Sequence, residues 1–133
     1  MKIAGIVAEY NPFHNGHAYH VERTRAYTPH QPVTHVVAVM SGHFVQRGEP
    51  ALATKFARAA AALASGVDLV LELPVPWVLS SAEGFAYGAV AVLNALGCVD
   101  VLSFGSESGD VAALQKTVDI MTTPPFIQRM KYF

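Results

Sequence analysis

Residues 9–20 read Glu9-Tyr10-Asn11-Pro12-Phe13-His14-Asn15-Gly16-His17-Ala18-Tyr19-His20, and they follow the apolar run Ile3-Ala4-Gly5-Ile6-Val7-Ala8. A continuous apolar run of this length is typical of a buried strand. Pro12 has no backbone N–H and disfavours helix at Asn11, so the strand ends here. A helix follows from about Gly16. The stretch therefore predicts a strand-loop-helix junction with His14 on the loop and His17 in the first helical turn.

This junction is suited to binding an anion. The first amide groups of a helix have no partner within it, and the helix dipole places partial positive charge there. His14 and His17 can point at the same space, and an imidazole N–H donates a hydrogen bond to phosphate whether or not the ring is charged. Gly16 permits a tight turn or a close approach of the backbone to a ligand. We predict that both histidines hold a nucleotide phosphate and stabilise the charge that develops on it during attack.

Two other interpretations of the histidines remain. Histidines at this spacing are often surface or core residues without a function, and only the strand, the Asn-Pro turn and the glycine favour a site. A metal ion held by His14, His17 and His20 is the second alternative. Residues three apart share a helix face over one turn only, because the helix has about 3.6 residues per turn. His20 therefore points well away from His14. No cysteine or carboxylate cluster accompanies the histidines, and phosphate therefore ranks above metal.

Composition limits the class of protein. The chain has 133 residues, of which 52% are hydrophobic and 14% charged, and this predicts one domain with a substantial core. The net charge of −1 gives no general basic field for nucleic acid. The single Cys98 excludes an intramolecular disulfide, fits a reducing, cytoplasmic location, and is expected to be a small buried hydrophobe. Neither a signal peptide nor an apolar run of membrane-spanning length is predicted.

Apolar runs and helical patterns alternate along the chain. They predict strands at about 2–10, 35–40, 68–73 and 100–104, and helices at about 16–27, 54–65, 80–97 and 110–121. Residues 28–32 are expected to form an exposed connection, and 126–133 to begin a further helix. The alternation predicts an α/β fold with a parallel sheet and helices on both faces. Ser80 and Glu83 fit a capping box at the start of the third helix.

Three loops are expected to border one cleft at the carboxyl edge of this sheet: 11–17, 41–50 and 105–110. In the second loop, Gln46 and Arg47 are candidate ligand contacts, and Arg47 can hold a phosphate or carboxylate in bidentate fashion. Lys55 and Arg58 share a face near the start of the second helix, where cations oppose the helix dipole unless an anion lies nearby. Each of these charges can equally be a solvated surface residue. The first loop is neither a Walker loop nor a dinucleotide-binding Gly-x-Gly-x-x-Gly loop.

Several motifs together resemble one enzyme family. His14-Asn15-Gly16-His17 after an apolar strand resembles the His-x-Gly-His motif of the nucleotidyltransferase superfamily. The wider pattern is similar to the tRNA(Met) cytidine acetate ligase family. It comprises residues 9–17, Ser41-Gly42 with Gln46-Arg47-Gly48-Glu49-Pro50, residues 67–74, residues 81–86 and Phe104-Gly105-Ser106-Glu107.

This resemblance implies a Rossmann-like nucleotidyltransferase fold and an activity. Such ligases form acetyl-adenylate from ATP and acetate and release pyrophosphate, then acetylate N4 of the wobble cytidine of elongator tRNA(Met). His14 and His17 would be the catalytic residues, and Arg47, Lys55 and Arg58 are candidates for phosphate or acetate contact. The resemblance places ATP on Val7, Ala8, Glu9, Tyr10, Asn11, Pro12, Phe13, His14, Asn15, Gly16, His17, Ala18, Tyr19, His20 and Gly105.

Family members are longer, so residues 1–133 are expected to be a truncated ATP-binding domain whose tRNA-binding part is absent. Two alternatives stay open: another adenylyltransferase of the superfamily, and an inactive domain that binds nucleotide. Magnesium is compatible with phosphate chemistry in general, although no carboxylate pair marks its position. No membrane partner is expected, and the sequence predicts no oligomeric state.

Overall fold

The computed structural model describes residues 1–27 and 32–131. Its centre is a sheet of four strands, β1 (Ile3–Ala8), β2 (His35–Ser41), β3 (Leu69–Leu73) and β4 (Val101–Ser103). The strands lie in the order β3-β2-β1-β4 and all neighbours pair in parallel. β-branched and other apolar residues dominate β1 and β2, as expected for central strands that are covered on both faces. The predicted α/β class is therefore confirmed.

Six α-helices connect or follow these strands in the described part of the chain. They are α1 (Asn15–Ala26), α2 (Lys55–Ala64), α3 (Val75–Val78), α4 (Ala82–Ala95), α5 (Val111–Met121) and α6 (Pro124–Met130). Two clusters of buried side chains lie on opposite faces of the sheet. In one, Val21 of α1 and Ala62 of α2 pack against β1 and β2. In the other, Val78 of α3 and Leu93 of α4 pack against the same strands.

The order of the strands positions a crevice at the carboxyl end of β1. The chain adds β2 and β3 on one side of β1 and then returns to place β4 on its other side. At such a reversal the flanking loops separate, and ligands of open α/β sheets bind there. The loop after β1, residues 9–14, lies at this reversal.

Several local predictions need correction. β3 ends at Leu73 as predicted, but the following segment with Pro74 and Pro76 forms the unpredicted helix α3, because proline is tolerated in the first turn of a helix. Ser81, not Ser80, caps α4 by accepting a hydrogen bond from the amide of Gly84. Cys98 is exposed, because the connection between α4 and β4 lies at the surface.

The C-terminal helices differ from the rest of the fold. α5 and α6 contain no buried residue among those described, so the apolar stripe of α5, including Val111 and Val118, is exposed. Strands β1, β3 and β4 are shorter than predicted, whereas β2 extends one residue further, to Ser41. Residues 28–31 of the predicted connection and residues 132–133 of the predicted last helix lie outside the described residues. No helix in the described ranges is long and apolar enough to cross a membrane.

Candidate functional site

A cavity of about 660 Å³ opens at the carboxyl ends of β1 and β2. The loop after β1 forms one wall, and the loop after β2 forms the other. Phe85 reaches the cavity from α4. The residues that line it are Val7, Ala8, Glu9, Tyr10, Asn11, Pro12, His14, His17, Val45, Gln46, Arg47, Glu49 and Phe85.

His14 and His17 cap the first helix with their own side chains. Nδ1 of His14 accepts a hydrogen bond from the amide of Gly16 at 3.1 Å, and Nδ1 of His17 accepts one from the amide of His14 at 3.2 Å. A backbone N–H can only donate, so neither Nδ1 carries a proton in this arrangement. Each neutral ring therefore has its proton on Nε2, where it is available to a ligand. The expected position of His14 on the loop and His17 in the first turn is confirmed.

The two rings lie against each other, with centroids 3.7 Å apart. Gly16 makes this possible, because a Cβ at that position would lie 2.9 Å from Cε1 of His14. The sequence predicts that this glycine permits a tight turn or a close approach of the backbone to a ligand, and in the structure the group close to it is the His14 imidazole. The amide of Gly16 donates to His14 and is therefore not available to an anion. The Nε2–H groups of His14 and His17 can donate to an anion in its place.

The electrostatic surroundings keep His17 neutral. Burial lowers its pKa, and the neighbouring His14 and His20 lower it further. A neutral His17 keeps both its acceptor at Nδ1 and its donor at Nε2. Protonation would add a second donor and break the bond from the His14 amide. The environment of His17 therefore favours hydrogen-bond donation by its uncharged imidazole.

Tyr10 packs against the ring of His17. Its ring is buried and contacts the rings of Phe13 and His17, with centroid distances of 4.9 and 5.0 Å. Burial raises the pKa of Tyr10 to about 12, so the phenol stays protonated. Its backbone has φ of +50°, a conformation that a non-glycine residue rarely adopts. The residue thus turns the chain sharply out of β1 and anchors the loop in the core.

Arg58 connects three backbone segments around the site. The guanidinium is 2% exposed and donates to the carbonyl oxygens of Glu9 at 2.6 Å, Ala53 at 3.2 Å and Gly42. Burial lowers its pKa, and the carboxylates of Glu9 and Glu72 act in the opposite direction. Its donors are directed to protein carbonyls, and it is absent from the cavity lining. We describe Arg58 as a positioning residue that joins the ends of β1 and β2.

The loop after β2 folds into a short hairpin, residues 43–51, hereafter the hairpin. The amide of Val45 donates to the carbonyl oxygen of Glu49, and the amide of Ala51 donates to the carbonyl oxygen of His43. Two side chains of the first loop fasten it. Oε1 of Glu9 accepts from the amide of Gln46 at 2.6 Å, and Oδ1 of Asn11 accepts from that of Leu52 at 2.7 Å. The two walls of the cavity are therefore one connected structure.

Other predicted contacts lie away from the cavity. Lys55 pairs with Glu72 at 2.5 Å. His20 is near Ser103 of β4, with 3.0 Å between Nε2 and Oγ, and so diverges from the other two histidines. Gly105 is exposed in the loop after β4, which contributes no residue to the lining given above. Within the described ranges, no group of three histidine, cysteine or carboxylate side chains could hold a metal ion.

Three further residues line the cavity although their sequence pattern does not mark them as ligand contacts: Val45, Glu49 and Phe85. Val45 and Phe85 are apolar and mostly buried, so their pattern is that of ordinary core residues. Glu49 belongs to the motif Gln46-Arg47-Gly48-Glu49-Pro50, which by itself indicates no role for this carboxylate. Phe85 lies on a helix that reaches the cavity only through the packing of α4 against the sheet.

Comparisons with known proteins agree with this geometry. The profile of the family described as HIGH Nucleotidyl Transferase matches residues 1–131. The tRNA(Met) cytidine acetate ligase of Alkaliphilus metalliredigens is 52% identical over 125 residues, which are 94% of this chain. That of Caldicellulosiruptor saccharolyticus is 56% identical over 116 residues, which are 87% of it. The crystal structure of Thermotoga maritima TmcAL bound with alpha-thio ATP matches 91% of this chain, with a TM-score of 0.83 and 55% identity.

The chain spans 28–29% of the length of these relatives. The structural match confirms the expected nucleotidyltransferase fold for the part that is shared. Both walls of the cavity lie within the residues that the family profile covers.

Proposed function

This chain belongs to the HIGH nucleotidyltransferase family, and from that premise we propose that it binds ATP in the cavity and transfers the adenylyl group to acetate. The activity is that of the ATP-using part of a tRNA(Met) cytidine acetate ligase. One observation carries the proposal: His14 and His17 line the cavity with their Nδ1 atoms engaged as acceptors, which leaves the proton of each neutral ring on Nε2, on a fold shared with a relative whose structure holds an ATP analogue.

The reaction needs little from the protein except position and charge stabilisation. A carboxylate oxygen of acetate forms a bond to the α-phosphorus, and the bond from that phosphorus to the bridging oxygen of pyrophosphate breaks. Charge increases on the α-phosphate oxygens in the transition state, where the two Nε2–H donors bind more strongly than in the ground state. The exocyclic N4 amine of cytidine then attacks the acetyl carbon, the bond from that carbon to the phosphate oxygen breaks as AMP leaves, and the amine loses one proton.

We propose that ATP lies along residues 7–20, with its phosphates at His14 and His17. Arg47 is the cation on the cavity lining and is the preferred contact for an anionic group. Lys55 and Arg58 support the site indirectly, because their charged groups are held by Glu72 and by backbone carbonyls. A contact of Gly105 with the nucleotide would require the loop after β4 to reach the bound adenosine.

Magnesium has limited support from the protein itself. The cavity carboxylates are Glu9 and Glu49, and one oxygen of Glu9 already accepts a bond from the Gln46 amide. This arrangement does not fit a dedicated metal cage. A magnesium ion that enters with ATP would be held mainly by the phosphates, as is common for this cation.

The matched relatives also suggest how the activity is divided. We propose that residues 1–133 correspond to the ATP-binding domain and that contacts to tRNA(Met) belong mostly to parts of the relatives outside the matched region. The net charge of −1 agrees with a domain that is not itself the main RNA-binding surface. A tRNA-modifying activity also favours a cytoplasmic location.

Titration calorimetry with ATP tests the binding step, comparing the parent with His17→Gln. Glutamine at this helix position can still accept a bond from the His14 amide, but it lacks the imidazole Nε2–H. We expect the variant to bind ATP about tenfold or more weakly at unchanged thermal stability. His35→Gln, at the opposite end of β2, serves as the control and should bind like the parent.

Acetate-dependent exchange of pyrophosphate into ATP tests the chemistry. Exchange that requires acetate supports the proposal, and exchange driven by another acceptor would identify a different adenylyltransferase. ATP binding without exchange by any acceptor would point to a nucleotide-binding module. Absence of ATP binding by the folded parent contradicts the proposal for this chain.

A further inference from the structure

The hairpin gives the cavity a second wall of unusual construction. Its tip is a single 3-10 turn over Gln46–Gly48, and Arg47 sits there with φ of +72°. A long side chain rarely adopts this left-handed conformation, which costs about 1 kcal/mol or more. The strain is confined to the one residue of the tip that carries a charge.

The tip cannot relax freely, because three contacts fix the hairpin. Glu9 and Asn11 accept bonds from the amides of Gln46 and Leu52, one on each side of the turn. The side chain of Val45 is 5% exposed and lies in the protein interior. Arg47 is therefore held at the mouth of the cavity by the same loop that carries the histidines.

The guanidinium of Arg47 has no hydrogen-bond or ion-pair partner among the described residues. Within the described ranges it makes no ion pair and no side-chain hydrogen bond, whereas the guanidinium groups of Arg25 and Arg58 are occupied by protein acceptors. The lining of the same cavity contains apolar side chains besides its polar ones, and three of these are called here the apolar floor: Val7, Val45 and Phe85. The cavity thus combines, within the described part of the chain, one unpaired cation on the hairpin with the apolar floor.

We propose that this wall is the subsite for the acceptor acid, with the Arg47 guanidinium on the carboxylate and the alkyl group on Val45 and Phe85. This inference rests on the proposed function and names the part of the cavity that recognises the second substrate. The guanidinium holds a carboxylate in bidentate geometry and so orients it toward the phosphates at His14 and His17.

The transfer step balances without any further group. Acetate enters ionised, so no base is required. One of its oxygens forms the bond to the α-phosphorus, and the electron pair of the broken phosphorus–oxygen bond leaves with pyrophosphate. The bulk of Phe85 limits the alkyl group to a short chain. Glu49 adds negative charge to the rim and disfavours acids with a second carboxylate.

Saturation-transfer NMR on the acetate methyl group, in the presence of α,β-methylene-ATP, tests the subsite without requiring turnover. We expect a signal with the parent chain and none with Arg47→Gln, since loss of a charged hydrogen bond weakens binding about tenfold or more. The affinity for α,β-methylene-ATP, measured by calorimetry, should be the same in both. Arg47→Lys should restore part of the acetate signal, and Arg23→Gln on the outer surface of α1 should behave like the parent.

Phe85→Ala supplies a second, independent variant. The enlarged floor should shift the preference from acetate toward butanoate by about tenfold, the lower end of what a methylene-sized pocket change gives. Circular dichroism and thermal unfolding establish that each variant is folded. If Phe85→Ala does not fold, Phe85→Leu provides the same comparison with a smaller loss of volume.

Three results would overturn the inference. An unchanged acetate signal in Arg47→Gln would show that Arg47 does not bind the carboxylate. An equal loss of acetate and nucleotide affinity would make Arg47 a phosphate ligand. Failure of the parent to bind α,β-methylene-ATP at all would refute the proposed function, and the inference with it. The first two results differ from this one, because in them the parent still binds the nucleotide.

Discussion

The carboxylate of Glu9 accepts a hydrogen bond from the backbone amide of Gln46, with 2.6 Å between Oε1 and N. Together with the bond from the Leu52 amide to Asn11, this contact joins the loop that carries the two histidines to the hairpin that carries Arg47. The carbonyl of the same Glu9 accepts from Arg58. Glu9 is therefore the residue at which both walls of the cavity and the end of β2 meet, and its substitution should affect both walls.

Replacement of Glu9 by alanine should loosen the hairpin. A hydrogen bond to a charged group contributes about 1.5–3 kcal/mol, and its loss leaves the Gln46 amide unpaired. We expect faster hydrogen exchange at the amides of the hairpin and weaker nucleotide binding. Glu9→Gln, whose side-chain carbonyl can still accept, is the matched variant and should retain most of the protection. Equal exchange in parent and Glu9→Ala would show that the contact does not hold the hairpin.

Gly16→Ala should separate helix stability from site geometry. Alanine favours a helix over glycine by about 1 kcal/mol, but its Cβ would lie 2.9 Å from the His14 ring and displace it. We expect similar or slightly higher thermal stability together with a loss of ATP affinity, measured by melting and by calorimetry. Gly97→Ala is unsuitable as a control because Gly97 has φ of +66°. Unchanged ATP affinity would mean that the position of the His14 ring is unimportant.

The pH dependence of stability should reflect His17. Its pKa is lowered in the folded state, so the unfolded chain binds its proton first as the pH falls. The contribution of His17 to stability is complete above about pH 6.5, the ordinary pKa of histidine, and is lost as the pH falls from there through the folded pKa. We expect the free energy of unfolding, from urea titrations between pH 8 and 5, to decrease toward acid.

His17→Gln should reduce this acid-side decrease, because glutamine does not titrate. Some pH dependence will remain, since burial also lowers the pKa of His20. An identical pH profile in the variant and the parent would contradict the assignment of the effect to His17.

Arg58→Met should destabilise the protein and disconnect the strand ends. Methionine fills similar volume but leaves the carbonyls of Glu9, Gly42 and Ala53 without their donor. We expect a loss of about 2–4 kcal/mol in urea unfolding, since buried acceptors lose a charged partner. Arg58→Lys should recover only part of it, because an ammonium group cannot reproduce the planar guanidinium geometry. Full stability of Arg58→Met would show that the site is assembled without this residue.

The fold was largely predictable from sequence because its signals are local. Four apolar runs that alternate with helical patterns are sufficient to predict a parallel sheet covered on both faces, and the Asn-Pro turn with Gly16 locates the first junction. The positions of His14 and His17 follow from the same local pattern. The start of α4 was missed by one residue because Ser80 and Ser81 are both acceptable helix caps.

The roles of the cations depended on tertiary structure. From sequence, Arg47, Lys55 and Arg58 were equivalent candidates, because each is a charge near a loop. The fold buries Arg58 under two strand ends, pairs Lys55 with Glu72, and leaves Arg47 at the mouth of the cavity. Phe85 joins the same cavity through the packing of α4.

The sequence by itself determined which segments form strands, helices and the histidine junction, since backbone propensity and apolar periodicity act over a few residues. Only the tertiary structure decided which side chains share the cavity, because that depends on the order of the strands and on burial across the sheet.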